Sequence, residues 1–295
     1  IASGGPGAIF WMWLAAFFGM ATIFVEAVLA QKYKQIVDGQ VTGGPAYYLS
    51  KGLGSKFLAG FFSITIILAL GFIGNAVQAN SIATAFSGVF PISNIAVGVI
   101  LAVVAGLIFI GGIGRIASVV EKVVPLMALF YIVGGLYVIL ANISNFIPAL
   151  RMIFVGAFNA RAATGGLIGV TVKETVRYGV ARGLFSNEAG MGSTPHAHAV
   201  AKVKHPAEQG LVAIVSVFID TFIVLNITAF VILTTGALDG HTTGIALTQK
   251  AFALSMGNVG NYFVAITLLF FAFSTIIGWY FFGEANALYL FGKKA

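Results

Sequence analysis

The fold class follows from one uncharged stretch of the chain, residues 57–85, which reads FLAGFFSITIILALGFIGNAVQANSIATA. It contains no Asp, Glu, Lys or Arg, and it exceeds the roughly 20 apolar residues that a helix needs to cross the hydrocarbon core. The whole chain has this character, since 59% of its 295 residues are hydrophobic and 8% are charged, against about a quarter charged in soluble domains. Because backbone groups in lipid must be paired within the protein, we predict an all-α membrane protein.

Further apolar stretches lie on both sides of this one. They give about seven candidate spans, at residues 7–31, 57–85, 94–112, 117–142, 150–180, 209–235 and 258–285. We expect them to form a single transmembrane domain over residues 1–295. The protein is then a multi-pass protein of the cell membrane, plasma or inner.

The basic residues sort by side of the membrane in this arrangement. Most Lys and Arg, including Lys32, Lys173, Arg177 and Arg182, fall on one side. Since cytoplasmic loops carry an excess of Lys and Arg, we predict that this side is cytoplasmic, with the chain start outside and the chain end inside. Residues 181–208 are then expected to form a cytoplasmic loop within the domain.

The composition also limits the class of function. The formal charge is +7, but the basic residues form no basic face, so nucleic acid is not an expected partner. The absence of Cys excludes thiolate metal sites and cysteine nucleophiles. His196, His198, Glu188 and His205 could suggest a metal site, but histidines two residues apart point to different helix faces. We therefore expect that the protein is not an enzyme and has no catalytic residue. We also expect no metal beyond a coupling cation, no organic cofactor and no obligatory protein partner.

The fifth span is interrupted by polar residues and glycines. Residues 159–166 read NARAATGG between apolar stretches. Adjacent glycines weaken a helix and free backbone groups, which persist at membrane depth only where they line a cavity. This pattern predicts a broken helix of the kind that forms transporter sites. The alternatives are a re-entrant turn or an ordinary glycine-rich packing face.

The second span carries two amides on one helix face. Asn75 and Gln78 share a stripe with Gly71, Gly74 and Ser81. The small residues allow another backbone to approach, and the amides offer donors and acceptors to a polar ligand. The alternative for either amide is a hydrogen bond to another helix.

The last span groups hydroxyls near one carbonyl. Ser274, Thr275, Gly278 and Trp279 follow Phe271 at helical spacing and share its face. Hydroxyl and carbonyl oxygens are ligands that a small hard cation accepts. The alternative is that the hydroxyls bond to their own helix backbone.

Two of the carboxylates inside predicted spans bear on function. Asp220 is near the centre of the sixth span, with no basic residue on its own helix. An intramembrane carboxylate costs at least about 3 kcal/mol, and it indicates a cation ligand, a proton carrier or a protonated hydrogen-bonding group. Glu26 lies about 10 Å by helical rise from Lys32, so we expect a structural role for it near the interface.

Three motifs are similar to signatures of a known family. The chain carries GGPGAIFWMW at 4–13, continuing through Gly19, then GGP at 43–45 with Tyr47 and Tyr48, and RGLFSNEAGMGS at 182–193. These motifs closely resemble those of the alanine/glycine:cation symporters, also called sodium:alanine symporters. The resemblance covers essentially the whole chain.

The resemblance implies a fold and roles for individual residues. The fold is the leucine-transporter-like inverted repeat of five plus five helices, of which this chain looks like core helices two to eight. It would therefore be an internal fragment without the first core helix and the C-terminal helices. The implied substrate-binding residues are Asn75, Gln78, Phe158, Thr164, Gly165, Gly166 and Trp279, and the implied sodium ligands are Phe271, Ser274 and Thr275. Asp220 is expected to bind the cation as well, and Arg161 would alter how a carboxylate or sodium ion is held.

We therefore expect a symporter that imports a small neutral amino acid, alanine or glycine, by alternating access. The coupling ion would be Na⁺, with H⁺ as the alternative. Helix N-termini and a bound cation can neutralise a substrate carboxylate without a dedicated Arg. The alternative class is an amino-acid-binding channel or a transporter-derived sensor. An intramembrane hydrolase is the weakest alternative, because no acid and base are paired at helical spacing.

Overall fold

The computed structural model describes residues 1–37, 39–110, 112–159 and 171–292. The helices are α1 (Ala8–Tyr33), α2 (Pro45–Lys51), α3 (Lys56–Ile66), α4 (Asn75–Ser87), α5 (Asn94–Phe109), α6 (Gly112–Ala141), α7 (Phe146–Phe158), α8 (Val172–Asn187), α9 (Pro195–Val200), α10 (Pro206–Phe218), α11 (Asn226–Thr234), α12 (Gly244–Met256) and α13 (Asn258–Phe291). A short antiparallel hairpin, β1 (Gln35–Val37) and β2 (Gln40–Thr42), follows α1.

Two π-helical stretches join consecutive helices without a break. The first π segment, Ile67–Gly74, connects α3 to α4. The second π segment, Ile219–Leu225, connects α10 to α11. Short π-helical stretches are uncommon and often mark functional positions.

Five helical stretches of the described residues are long and apolar enough to cross a membrane. They are Ala8–Tyr33, Lys56–Ser87, Glu121–Ala141, Pro206–Thr234 and Asn258–Phe291, each within or overlapping a predicted span. Large apolar side chains on these and neighbouring helices are uncovered, with Phe57 79% and Ile95 80% exposed. Such surface is expected to face lipid rather than water. These features confirm the predicted helical membrane class.

Local sequence explains several helix ends. The Ser55 hydroxyl accepts the Leu58 N–H at the start of α3, and the Ser93 hydroxyl accepts the Ala96 N–H at the start of α5. Both are N-caps, which pair a backbone donor that the first helical turn leaves free. Gly257, with φ 60, separates α12 from α13. Glycine adopts this left-handed conformation without strain.

The residues fall into two compact units. The first unit comprises Ile1–Ala15, Ala79–Ser186 and Ile219–Ser274. Its main core contains buried apolar side chains from α6, α11, α12 and α13, among them Val138, Val231, Phe252 and Val264. Polar side chains also meet in this unit, where Tyr131 and Thr228 share a 2.6 Å hydrogen bond between their hydroxyls.

Within the first unit, α8 runs parallel to the start of α1. A Cβ atom on Gly4 would lie 2.8 Å from the Tyr178 Cβ, and one on Gly183 would lie 3.0 Å from the Met12 Cγ. The start of α8, with Lys173 and Arg177, therefore lies beside the beginning of α1. The charge pattern had counted both residues on the cytoplasmic side and the chain start outside, which this packing does not fit. The orientation of the chain in the membrane stays a prediction.

The second unit comprises Ala16–Gln78, Asn187–Phe218 and Thr275–Ala295. The GGP motif allows α9 to approach the start of α2. A Cβ on Gly43 would lie 2.5 Å from the Ala199 Cβ, and one on Gly44 would lie 2.6 Å from the His196 ring. Gly44 also has φ 118, which favours glycine. The motif thus serves close packing in this unit.

The structure differs from the sequence prediction over the fifth span and the loop that follows it. In the described residues, α7 ends at Phe158 and α8 begins at Val172, while 160–170 lie outside the described residues. The expected loop 181–208 contains the end of α8, a non-helical segment at 188–194 and the short helix α9. Segment 188–194 includes the buried residues Ala189 and Ser193, so it packs inside the second unit.

Candidate functional site

The first π segment explains the position of Asn75. In this segment the backbone N–H of Asn75 bonds to the Leu70 carbonyl, five residues earlier. The Gly71 carbonyl, which it would bond in an α-helix, accepts the Asn75 side-chain amide instead, at 3.3 Å. The side-chain oxygen of Asn75 is buried and has no partner in the described part of the chain. Asn75 therefore offers a free hydrogen-bond acceptor inside the second unit.

Trp279 packs against the residue that precedes Asn75. A Cβ atom on Gly74 would lie 2.4 Å from Cζ3 of the Trp279 ring. The ring therefore lies on bare backbone, which only a glycine at this position permits. The second unit brings Trp279 to the polar face of α4 that carries Asn75 and, one turn later, the half-buried Gln78.

The non-helical segment 188–194 is the least regular buried part of the second unit. Gly190 and Gly192 have φ 89 and 74. Their backbone N–H groups donate to the Glu26 carboxylate at 3.1 and 3.2 Å. Glu26 is only 9% exposed, so a carboxylate on α1 holds this segment. This agrees with the structural role expected for Glu26.

A second carboxylate lies within the segment itself. One Glu188 oxygen accepts the indole N–H of Trp279 at 2.7 Å, and the other accepts the Ser193 hydroxyl. Glu188 also has φ 55, the left-handed conformation that is uncommon for residues other than glycine. Glu188 thus links segment 188–194 to the ring that packs on Gly74.

The second π segment carries Asp220, another carboxylate within a predicted span. The Ser186 hydroxyl is 3.1 and 2.9 Å from the two carboxylate oxygens of Asp220, and the Thr221 hydroxyl is 3.4 Å from one of them. All three residues belong to the first unit. Hydroxyl and carboxylate oxygens together are suitable ligands for a small hard cation. Ser186 belongs to the motif at 182–193, which the sequence had assigned to a loop.

The hydroxyls predicted on the last span lie on α13. The Ser274 hydroxyl donates to the Phe271 carbonyl at 2.9 Å, so two of the predicted cation ligands are in contact with each other. A hydroxyl that donates its hydrogen keeps lone pairs for a cation. Phe271 and Ser274 belong to the first unit, and Thr275 begins the last part of the second.

Another predicted substrate residue belongs to the first unit. Phe158 ends α7, is 64% exposed, and contacts the rings of Phe10 and Trp11 at centroid distances of 5.4 and 5.8 Å. The predicted residues Thr164, Gly165 and Gly166, together with Arg161, lie outside the described residues.

The two neighbouring histidines have separate environments in the second unit. His196 stacks between Phe62 and Phe282, at centroid distances of 6.3 and 5.4 Å. Its Nδ1 contacts the Ser193 carbonyl, and its Nε2 contacts the Asn286 amide at 2.7 Å. These partners fit a neutral imidazole protonated on Nδ1. Burial lowers the pKa of His196 to about 4.

His198 contacts a different neighbour. Its Nδ1 is 2.8 Å from the Gln209 amide, and its carbonyl accepts a hydrogen bond from Gln31 on α1. Burial lowers the pKa of His198 to about 4 as well. Both histidines therefore fasten α9 to its surroundings as neutral groups.

Sequence reasoning recognised residues 182–193 as a family motif but did not predict the buried contacts of segment 188–194. The signal was present, since NEAGMGS at 187–193 combines polar residues with two glycines, the same pattern that drew attention to 159–166. The neighbouring basic residues suggested a loop and concealed it. The contacts from Glu188 to Trp279 and from Ser186 to Asp220 join residues far apart in sequence, and no spacing rule predicts them.

Comparison with known proteins identifies the family. The sodium:alanine symporter family profile matches residues 1–295. The chain is 45% identical to the putative sodium/proton-dependent alanine carrier protein YrbD of Bacillus subtilis (98% of this chain, 62% of that protein) and 45% identical to the sodium/alanine symporter AgcS of Methanococcus maripaludis (99% and 65%). It is 42% identical to the probable sodium/glutamine symporter GlnT of Bacillus subtilis (100% and 61%).

The chain thus spans 61 to 65% of the length of these curated relatives. The family is one of transporters and not of enzymes, as the sequence predicted. The motifs at 4–13, 43–45 and 182–193 had indicated the same group. On these matches, the chain belongs to the sodium:alanine symporter family.

Proposed function

We propose that the protein to which this chain belongs is a secondary active symporter that imports a small neutral amino acid, alanine or glycine, together with Na⁺. The buried, unpaired side-chain oxygen of Asn75 is the observation that supports this most directly. A buried acceptor without a partner is costly, and a ligand ammonium group would supply the missing donor. The names of two relatives, a sodium/alanine symporter and an alanine carrier, favour the same substrate class.

The proposed substrate contacts are the polar and aromatic groups of the second unit, Asn75, Gln78 and Trp279. Phe158, in the first unit, remains a prediction. The ring of Trp279 and the bare backbone of Gly74 leave little room near Asn75, which favours a small side chain. Thr164, Gly165 and Gly166 remain predictions.

The cation would be held by oxygen ligands. Asp220 in the second π segment and Phe271 and Ser274 on α13 are the proposed ligands in the first unit, and Thr275 remains a predicted ligand. Ser186 and Thr221 already contact Asp220, so their hydroxyls are further candidates. Neutral oxygens and one carboxylate suit Na⁺, while a lone carboxylate also suits H⁺.

The test is uptake by the full-length protein in proteoliposomes. We expect labelled alanine to accumulate above its external concentration when Na⁺ is imposed outside, and to stop accumulating when K⁺ replaces Na⁺ or an ionophore removes the gradient. Unlabelled glycine should compete strongly. An imposed proton gradient without Na⁺ separates the two coupling ions.

The alternatives give different results in the same assay. A channel would let alanine equilibrate without accumulation, and a sensor would bind alanine without uptake. Either result would reject the symport proposal. Accumulation driven by H⁺ alone would reject Na⁺ as the coupling ion.

A further inference from the structure

Glu188 has an unusual backbone for its residue type. Its φ of 55 lies in the left-handed region, where side chains with a Cβ are disfavoured. Such conformations persist when surrounding contacts impose them, and they cluster at functional sites. In the second unit, the contacts that impose this one are visible on both sides of Glu188.

The segment around Glu188 is fixed by Glu26. Both Glu26 oxygens accept backbone N–H groups, from Gly190 at 3.1 Å and Gly192 at 3.2 Å. The Ser193 hydroxyl also donates to Glu188. The other oxygen of the Glu188 carboxylate accepts a further hydrogen bond.

That further bond comes from Trp279. Its indole N–H donates to Glu188 at 2.7 Å, the short distance typical of a charge-assisted hydrogen bond. The opposite, six-membered edge of the ring lies on Gly74. The ring is therefore held at both edges, by a carboxylate at the nitrogen and by glycine backbone at the benzene side. Asn75, with its unpaired oxygen, is the next residue after Gly74.

We propose that Glu188 is a positioning residue: by holding the Trp279 ring against Gly74, it sets the size of substrate side chain that the site beside Asn75 accepts. This inference rests on the proposed function, in which Trp279 contacts the substrate. Without the carboxylate, the indole N–H of Trp279 loses this acceptor, so the ring can shift from its position on Gly74 and a substrate side chain beside Asn75 gains room. Affinity for alanine falls, and larger amino acids compete better.

The test compares three variants of the full-length protein in proteoliposomes. Glu188→Ala removes the acceptor, Glu188→Gln keeps a neutral acceptor, and Glu208→Ala removes an exposed glutamate of the same unit. We expect Glu188→Ala to raise the KM for alanine about tenfold with a small change in kcat, because it removes a hydrogen bond to a charged group. Leucine should compete with alanine more strongly in this variant. Glu188→Gln should restore most of the affinity and selectivity, and Glu208→Ala should match the parent.

A spectroscopic measurement reports the ring directly. The difference in fluorescence between each protein and its Trp279→Phe counterpart isolates the emission of Trp279. We expect Glu188→Ala to shift this emission and Glu188→Gln to leave it close to the parent. If the parent transports none of these amino acids, the proposed function fails, whereas the emission still decides whether Glu188 holds the ring.

Three results would overturn the inference. They are an unchanged Trp279 emission in Glu188→Ala, a shifted emission with parental KM and selectivity, and a Glu188→Gln variant as impaired as Glu188→Ala. If Glu188→Ala does not fold, Glu188→Asp takes its place, since the shorter side chain keeps the charge but withdraws the acceptor from the indole N–H of Trp279. It should raise the KM for alanine to a similar extent, and a parental KM in that variant would also reject the inference.

Discussion

The two π segments are built alike and end differently. Each is followed by an asparagine whose side-chain amide donates to the carbonyl four residues earlier, Asn75 to Gly71 at 3.3 Å and Asn226 to Phe222 at 3.0 Å. The oxygen of Asn226 accepts the Trp13 indole N–H at 2.6 Å. The oxygen of Asn75 is buried and unpaired among the described residues.

This difference separates a structural asparagine from a candidate ligand. A π-helical turn changes the bonding of the backbone, and a side-chain amide can pair a carbonyl that the change leaves free. Both asparagines donate to the carbonyl four residues earlier, but among the described residues the oxygen of Asn226 has a partner and that of Asn75 has none. An unpaired buried acceptor costs about 1–3 kcal/mol, which a ligand donor would remove. The first π segment is therefore the better place to look for substrate contacts.

The largest expected effect concerns the glycine at the end of the first π segment. Gly74→Ala would place a methyl group 2.4 Å from the Trp279 ring, and we expect overpacking to cost about 3 kcal/mol and to abolish most uptake. The matched control is Gly71→Ala, whose new methyl group would meet only the Ile67 side chain at 3.9 Å. Thermal unfolding in detergent and alanine uptake measure both effects. Equal unfolding temperatures for the two variants would contradict the close packing of Trp279 on Gly74.

The next effect tests the two asparagines directly. Asn226→Ala removes the acceptor of the Trp13 indole N–H and one donor to the Phe222 carbonyl, so we expect a loss of about 2 kcal/mol in stability. Asn75→Ala removes one hydrogen bond together with an unpaired oxygen, so its stability should stay close to the parent. Its KM for alanine should rise about tenfold instead, because the substrate loses an acceptor.

Unfolding temperatures and uptake kinetics of both variants test whether Asn226 serves stability while Asn75 serves substrate binding. The comparison fails if Asn75→Ala unfolds as early as Asn226→Ala while its KM for alanine stays parental. In that case both asparagines serve the helix alone.

The sequence predicted the part of this architecture that depends on local composition. Long uncharged stretches such as 57–85 indicated spans, because the cost of charge in lipid applies to each helix separately. The same reasoning singled out Asn75 and Gln78 on one helix face and Asp220 inside a span, because polar side chains are conspicuous in an apolar stretch. The motifs at 4–13, 43–45 and 182–193 indicated the family.

Direction and long-range pairing could not be predicted in this way. The sequence predicted a loop from residue 181, whereas α8 continues to Asn187 and Gly183 packs on Met12 of α1. The π segments have no distinct sequence signal, since ILALGFIG at 67–74 has the composition of an ordinary apolar helix. Contacts such as Glu188 with Trp279 depend on how helices pack, which periodicity does not encode.

A smaller effect is expected in the second π segment. Asp220→Asn keeps an oxygen that can accept the Ser186 hydroxyl but removes the charge. If Asp220 is a cation ligand, the Na⁺ concentration for half-maximal uptake should rise about fivefold, which corresponds to about 1 kcal/mol. The control is Asp239→Asn, because Asp239 is a turn carboxylate paired with Lys250 at 2.7 Å. A parental Na⁺ dependence in Asp220→Asn, with uptake retained, would make Asp220 a structural hydrogen-bonding group.

The smallest effect concerns pH and the helix that follows segment 188–194. Burial lowers the pKa of both His196 and His198 from 6.5 to about 4 in the folded protein. Below pH 6.5 the unfolded chain therefore binds protons that the folded chain does not. The stability that depends on neutral histidines is fully present above pH 6.5 and is lost as the pH falls towards about 4.

For one fully buried histidine, this linkage amounts to about 1 kcal/mol between about pH 7.5 and about pH 5.5. His196, 1% exposed, is the clearer of the two. We expect His196→Gln to lower the unfolding temperature at pH 7.5 and to reduce its fall with pH by about half, since His198 still titrates. His205→Gln, which changes an exposed histidine, should keep the parental fall. The shallower fall is expected because protonation of His196 opposes the stacking of its ring between Phe62 and Phe282. An equally steep loss in this variant would contradict that role for His196.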